Sequence, residues 1–264
     1  MYSGFTWTST NTMTYTYSLR NAHNFSAMIG AEYTRNAKDL SLTAHNENSE
    51  FNDPEYAYLD NVTALTNARI GGKDNYGWAM ASYFGRLSYD YKEKYLLTLV
   101  MRADGSSNFM TGHRWGTFPS VSAGWIMTNE SFMDNFTNWL SYLKVRGSWG
   151  QNGNQDILKY QYLSTLSFEE AYYYFGTGKG VSSFYTGYYP ARVPNYDVGW
   201  ETSEQLDFGA DIYFLRNQLQ YSFDWYKKDT KDWLLLVPAL VTDGTVPAYS
   251  NGGHISNKGI ELMV

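Results

Sequence analysis

Gln205-Leu-Asp-Phe-Gly-Ala-Asp-Ile-Tyr-Phe214 sets Leu206, Phe208, Ala210, Ile212 and Phe214 against Gln205, Asp207, Gly209, Asp211 and Tyr213. After a short turn at 215–217, Leu219-Gln-Tyr-Ser-Phe-Asp-Trp-Tyr226 repeats the alternation, with Leu219, Tyr221, Phe223 and Trp225 on one side. Successive side chains of a strand point to opposite faces, so this pattern reads as β-structure with one apolar face. Two such runs across a tight turn read as a hairpin.

Working outward, the same period-two pattern marks residues 12–19, 25–33, 83–91, 95–103, 120–127, 143–150 and 259–264. Over all nine runs the apolar face takes 39 positions and holds no charge. The opposite face takes 36 positions and carries ten charges: Glu32, Arg86, Asp90, Arg102, Lys144, Arg146, Asp207, Asp211, Asp224 and Glu261. Connections alternate as well. Residues 20–24, 92–94 and 215–217 are short, 128–142 reads as a short helical link, and 35–81, 104–119, 151–202 and 229–253 are long. The expected fold is all-β: an antiparallel up-and-down sheet of about nine strands with one plain end and one elaborate end. Pro119 is expected at a strand start and the other prolines between strands, because proline cannot donate to a ladder.

A one-face-apolar sheet has two readings. In a soluble aromatic-rich, glycan-binding β domain, a sandwich or propeller, the apolar face is a protein core. In a transmembrane β-barrel segment it meets lipid, the polar face lines the lumen, periplasmic turns are short and extracellular loops long. Three features favour the barrel. Runs of about 8–11 residues suit a tilted crossing of a bilayer, which takes about 9–11. The apolar face is loaded with Tyr15, Tyr17, Tyr33, Tyr83, Tyr89, Tyr91, Tyr95, Tyr221, Trp125, Trp149 and Trp225. Each polar ring tip needs a partner in a dry core but reaches water at a membrane interface. Loops of this length are also uncommon in compact soluble domains.

Composition narrows the function. Among 264 residues there are 25 Tyr, 14 Phe and 9 Trp, no Cys, and a formal net charge of −6. Without cysteine there is no disulfide framework, thiol nucleophile or thiolate metal site. An acidic chain without a basic stripe does not suit nucleic acid. The aromatic load argues against disorder. The first residues lack the basic and apolar regions of a secretory signal, so either the protein stays in the cytoplasm or the chain is a piece of something longer.

Chemistry is sparse, and no enzymatic activity, catalytic residue, metal or cofactor is expected. His23, His45, His113 and His254 stand apart and read as solvated surface. Glu169-Glu170 reads as a surface pair. Gly176-Thr-Gly-Lys-Gly180 lacks the spacing and context of a phosphate loop. Aromatic residues of the long connections are the substrate-contact candidates: Trp115, Tyr172, Tyr173, Tyr174, Tyr185, Tyr188, Tyr189 and Trp200. Exposed rings suit stacking on sugars or gripping peptide side chains; the alternative is a loop packing on its own aromatics. Arg86, Arg102, Lys144 and Arg146 either contact other groups in the lumen or pair with neighbouring carboxylates.

Several longer stretches carry a resemblance. Arg102-Ala-Asp-Gly-Ser-Ser-Asn-Phe109 is followed by Arg114-Trp-Gly-Thr-Phe-Pro-Ser-Val-Ser-Ala-Gly-Trp125 and by Trp139-Leu-Ser-Tyr-Leu-Lys-Val-Arg-Gly-Ser-Trp-Gly-Gln-Asn-Gly-Asn-Gln155. Then come Trp200-Glu-Thr-Ser-Glu-Gln-Leu-Asp-Phe-Gly-Ala-Asp211, Tyr226-Lys-Lys-Asp-Thr-Lys-Asp-Trp-Leu-Leu235 and Asn257-Lys-Gly-Ile-Glu261. In this order they resemble the SusC/RagA family of TonB-dependent outer-membrane transporters of Bacteroidetes. Asn195-Tyr196 departs from the family's usual Asn-Pro, and Gly252 from its usual Asn-Val-Gly triplet. The resemblance implies that residues 1–264 are part of a receptor-like barrel in the cell outer membrane. A signal peptide, plug domain and closing strands would lie elsewhere, and the isolated segment would form an open sheet. It implies import of oligosaccharides or peptides beneath a SusD-like surface lipoprotein, driven by TonB through an N-terminal part, with lipid around the barrel.

Overall fold

The computed structural model describes the chain except residues 1, 21, 37–38, 47–48, 57, 59–60, 62–68, 76, 137, 168–171, 175–183, 239, 241 and 243. Nine long strands form one sheet: β1 (Thr6–Leu19), β2 (His23–Asn36), β3 (Trp78–Tyr91), β4 (Tyr95–Ser106), β5 (Trp115–Ile126), β6 (Leu140–Asn154), β7 (Glu201–Phe214), β8 (Leu219–Lys231) and β9 (His254–Met263). Their spatial order is their order in the chain, with β1 and β9 at the two edges. The sheet is open, as expected of a barrel segment.

Register carries the alternation across strands. Tyr95, Trp125, Val145, Ala210, Phe223 and Leu262 form one row. Leu97, Ala123, Gly147, Phe208, Trp225 and Ile260 form the next. This face is bare: Tyr15, Leu97, Phe223 and Leu262 are between 39% and 74% exposed. Buried apolar side chains, among the described residues, are Phe109, Phe118, Met133, Leu140, Ile157 and Val198. They gather toward the ends of the sheet rather than over the apolar band. A sandwich would have laid a second sheet on that band.

The strands are 10 to 15 residues long, longer than the alternating runs. Most of the excess lies at the elaborate end. β4 continues to Ser106 and β5 begins at Trp115, so their connection is 107–114 rather than 104–119. Beyond Leu206 the apolar-side positions of β7 become Glu204 and Thr202, while β8 continues through Lys227, Asp229 and Lys231. The backbone stays paired, but the outer face has become charged, so hydrophobic alternation cannot mark these residues. Pro119 lies within β5, paired with Met101, where the ladder to β6 has not yet begun at Ser120.

The short turns use left-handed backbone without glycine: Lys92 (φ 51°) and Glu93 (φ 55°), then Leu215, Arg216 and Asn217 (φ 51° to 68°). Consecutive positive φ matches the twist of a hairpin. The 128–142 link holds two 3₁₀ helices, Met127–Asn129 and Ser131–Phe136. The long connections carry small hairpins of their own, including Tyr172–Tyr174 with Phe184–Thr186 and Leu234–Val237 with Ala248–Asn251.

The chain divides into two compact units. One comprises residues 1–9 and 33–79 and contains a three-stranded sheet of Tyr2–Ser3, Asp39–His45 and Arg69–Asn75. The other comprises residues 10–32 and 80–264 and contains Arg102, Arg146 and the Phe109 cluster.

Candidate functional site

Arg146, on the polar face of β6, reaches carboxylates on two further strands. Its Nε lies 3.2 Å from Asp211 Oδ2 on β7, and its Nη1 lies 2.8 Å from Asp224 Oδ1 on β8. Register places Gly209 between Arg146 and Asp224. A Cβ at Gly209 would come within 2.4 Å of Asp224 Oδ1 and 2.7 Å of Arg146 Cζ. The missing side chain is therefore the channel through which the guanidinium passes. Ser222 Oγ donates to Asp211 at 2.8 Å, and Ser148 Oγ donates to Asp207 at 3.3 Å. Charge-assisted bonds of this kind hold polar groups in place without a packed core.

Arg102 makes a second knot. It bonds Asp104 at 2.8 Å and Ser82 Oγ at 3.0 Å, lies 3.7 Å from Glu32, and sits over the Phe84 ring at 5.4 Å. That ring fills the space a Cβ at Gly30 would take, at 2.4 Å. Arg102 and Arg146 thus pair with neighbours. Lys144 lines a depression of the polar face with Arg146, Thr98, Ser122 and Asp207, and Arg86 is exposed on the same face.

At the elaborate end Phe109, Ile157 and Val198 form a buried cluster, with Tyr162, Trp200, Leu234 and Tyr249 packed on it. Polar bonds tie it together. Ser106 Oγ donates to Gln155 Oε1, and the backbone N–H of Asn108 donates to Ser106 Oγ at 3.1 Å. Arg114 Nε donates to the Phe109 carbonyl at 3.1 Å, and Trp200 Nε1 to the Arg114 carbonyl at 2.9 Å. Glu201 accepts from Asn154 Nδ2 at 3.2 Å and from the Leu234 N–H at 3.0 Å. Asn251 bonds both the N–H and the carbonyl of Gly199, at 2.7 and 3.0 Å. Phe118 is buried over Gly116 and Gly153, whose Cβ atoms would lie 2.5 and 2.0 Å from its ring.

At the plain end Glu130 accepts from Lys94 Nζ at 2.8 Å and from Trp125 Nε1 at 3.3 Å. The Lys94 ammonium, then the Tyr95 hydroxyl, hold the Glu130 carboxyl below its ordinary range, while Glu130 holds Lys94 above its own. Asn129 Nδ2 donates to the Glu93 carbonyl at 2.7 Å, fastening this link to the neighbouring turn.

The aromatic candidates separate in space. Trp115 lies on the apolar side, opposite Gly105, with its ring stacked on Tyr83 at 5.9 Å. Trp200 lies in the loop-end cluster, 5.4 Å from both Phe109 and Phe118. Tyr172, Tyr173 and Tyr174 pair in register with Thr186, Tyr185 and Phe184. Tyr188 is exposed, and Tyr189 pairs with Ser167. Glu169-Glu170 and Gly176–Gly180 lie outside the described residues. His23 bonds Tyr89 at 2.9 Å, His113 lies 3.7 Å from Asp197, and His254 lies 3.4 Å from Asp229.

The model of the TonB dependent receptor-like β-barrel family matches residues 2–264. The chain belongs to this family. It is 32% identical over 262 residues to TonB-dependent receptor P26 of Formosa agariphila, covering 98% of the chain and 25% of that protein. It is 32% identical over 247 residues to TonB-dependent receptor SusC of Bacteroides thetaiotaomicron, covering 92% of the chain and 23% of that receptor. Among solved structures, the RagAB peptide importer in its closed-closed state superposes with a TM-score of 0.83 at 25% identity, over 99% of the chain and 27% of its counterpart. The chain therefore spans about a quarter of the length of the receptors it matches, and the SusC/RagA resemblance read from the sequence is borne out.

For a TonB-dependent receptor barrel, the geometry explains the motif stretches. Arg102 to Phe109, Arg114 to Gly116, Gln151 to Gln155 and Trp200-Glu201 converge on the loop-end cluster and its rim. Their glycines, serines and amides are fitted to one another. Sequence reading found these stretches by resemblance but did not identify Phe109, Gln155, Glu201 or Asn251 as the residues that close the knot. The Gly209 channel was hidden too: in sequence it is one more polar-face position. The matching family is one of TonB-dependent receptors, and the Arg102 and Arg146 knots act as geometric supports of the polar face.

Proposed function

We propose that this chain is a barrel segment of an outer-membrane TonB-dependent active transporter that imports peptides or oligosaccharides. The observation that carries this reading is the exposed, charge-free apolar face, continuous in register across the strands, in a member of this receptor family. Such a face suits lipid, and the polar face with its Arg102 and Arg146 knots suits a water-filled or plugged lumen. A plug domain, a TonB-contacting segment and the remaining strands belong to the rest of the protein in this reading.

The likeness to RagAB, a peptide importer, supports peptides as one substrate class; the likeness to SusC supports a shared transporter architecture. A SusD-like lipoprotein over the loop end is the expected partner. The Tyr172–Tyr174 and Phe184–Thr186 hairpin, with Tyr185, Tyr188 and Tyr189, is the proposed substrate-facing element. Trp115, stacked on Tyr83 at the margin of the apolar face, is better suited to a headgroup layer than to substrate. Trp200 is better suited to holding the loop-end cluster.

The test is uptake by cells expressing the full-length protein, with and without TonB, using labelled peptide and oligosaccharide pools. The reading expects accumulation of one pool that disappears without TonB. Equal accumulation in cells lacking the full-length protein overturns it.

A further inference from the structure

We infer that the outer face of β8 and β9 carries a binding site for the phosphate of an anionic lipid, built on Lys227 and Lys258. The inference rests on the reading that the apolar face meets a bilayer.

Register defines the place. Trp149, Leu206, Lys227 and Lys258 form one row on the apolar side. The row on its turn side is Gly147, Phe208, Trp225 and Ile260, which is apolar throughout. The row on its loop side is Gln151, Glu204, Asp229 and Ser256, and beyond it stand Lys231 and His254. Lys227 and Lys258 therefore occupy the margin where an apolar band gives way to charge. With long loops on the outer side, this is the headgroup layer of the outer leaflet.

Two like charges directly opposite each other on adjacent strands repel. The neighbouring carboxylates do not remove the excess. Glu204 is engaged by Lys231 at 2.8 Å, and Asp229 by Lys227 at 2.8 Å and by His254 at 3.4 Å. Asp232 also acts on Lys231, while Lys258, exposed, has no carboxylate within ion-pair distance among the described residues, so the positive charge of the patch is left at Lys258. A lipid phosphate in this layer supplies the missing anion while its acyl chains lie along Trp225, Phe208 and Ile260. Charge complementarity and continuity with the apolar band select a lipid over free phosphate.

The test uses the full-length transporter carrying Ser256→Cys, which places a fluorescent label one row from the lysine pair. The protein is reconstituted with nitroxide-labelled phosphatidylglycerol or with a nitroxide-labelled glycosyl diacylglycerol that lacks phosphate. One basic residue near an anionic headgroup favours it about fivefold, so quenching by phosphatidylglycerol is expected to be about fivefold more effective. K227Q/K258Q is expected to abolish that preference while quenching by the neutral lipid remains. Equal quenching by the two lipids, or a preference that survives K227Q/K258Q, overturns the proposal. Loss of the preference on adding inorganic phosphate overturns the choice of lipid over free anion. Absence of quenching by either lipid instead shows that this face is not in the bilayer, and the earlier reading fails with it.

Discussion

Arg146 and Asp224 meet 2.8 Å apart although β7 runs between their strands, and the residue between them, Gly209, has no side chain. Three strands are thereby tied by one guanidinium on a face with no packed core. Gly209→Ala places a methyl where Arg146 and Asp224 meet. Both are flexible at their ends and can swing aside, so the expected loss is that of the charge-assisted bond, about 1–3 kcal/mol. Asp224→Asn is expected to lose a similar amount, and the double variant little more than either alone. Denaturant unfolding of the four full-length proteins checks this.

Phe118 and Gly153 make a stiffer contact. The ring covers the place of a Gly153 Cβ at 2.0 Å and is itself buried. Gly153→Ala is expected to destabilise by about 1–3 kcal/mol, the usual range for overpacking. Phe118→Leu in the same chain is expected to restore part of it. Thermal unfolding midpoints of single and double variants decide the matter.

Phe109 is fully buried and anchors the loop-end cluster. Phe109→Ala is expected to cost about 3–5 kcal/mol of local stability, typical for a truncated core phenylalanine. The sheet has its own ladders, so limited proteolysis should show faster cutting within 155–200 and 232–253 while the strands stay protected.

The Lys94–Glu130 pair gives a pH dependence with a definite sign. Glu130 is held below its ordinary value of 4.5, so its contribution is present above that pH and is lost as pH falls through the depressed folded value. Lys94 is held above 10.5, so its contribution is present below that pH and is lost as pH rises through the raised folded value. The link over 127–139 should exchange its amides faster outside this window at either end. Glu130→Gln should remove the acid-side dependence, as read by hydrogen exchange at matched intrinsic rates.

The nine long strands were legible in the sequence because the positions of one face, such as Leu206, Phe208 and Phe214, carry no charge while the alternate positions carry Asp207, Asp211 and their counterparts. The same cause sets the limit of that legibility. At Glu204, Asp229 and Lys231 the outer face is charged like the inner one, and strands there continue without a signal. The turns at Lys92-Glu93 and Leu215-Arg216-Asn217 adopt left-handed backbone without the usual glycine, so their geometry could not be read. The loop-end knot joins Phe109, Gln155, Trp200 and Asn251 from distant stretches, and no local pattern announces which residues will meet. Of the aromatic candidates, Trp115 and Trp200 are alike in sequence; only register and packing separate an outward ring from an inward one.

The central claim is that one face of the sheet meets lipid and the other does not. Phe223 and Asp224 are adjacent residues on opposite faces of β8, and this segment has no native cysteine, so only cysteines elsewhere in the full-length protein need first be replaced by serine. The most direct measurement places a fluorophore at Phe223→Cys or at Asp224→Cys in the full-length protein in bilayers, then compares a lipid-borne nitroxide with a water-soluble quencher. The account predicts strong lipid quenching at position 223 with little aqueous quenching, and the weaker lipid response at position 224. Equal responses at the two positions, or lipid quenching stronger at position 224, would contradict it.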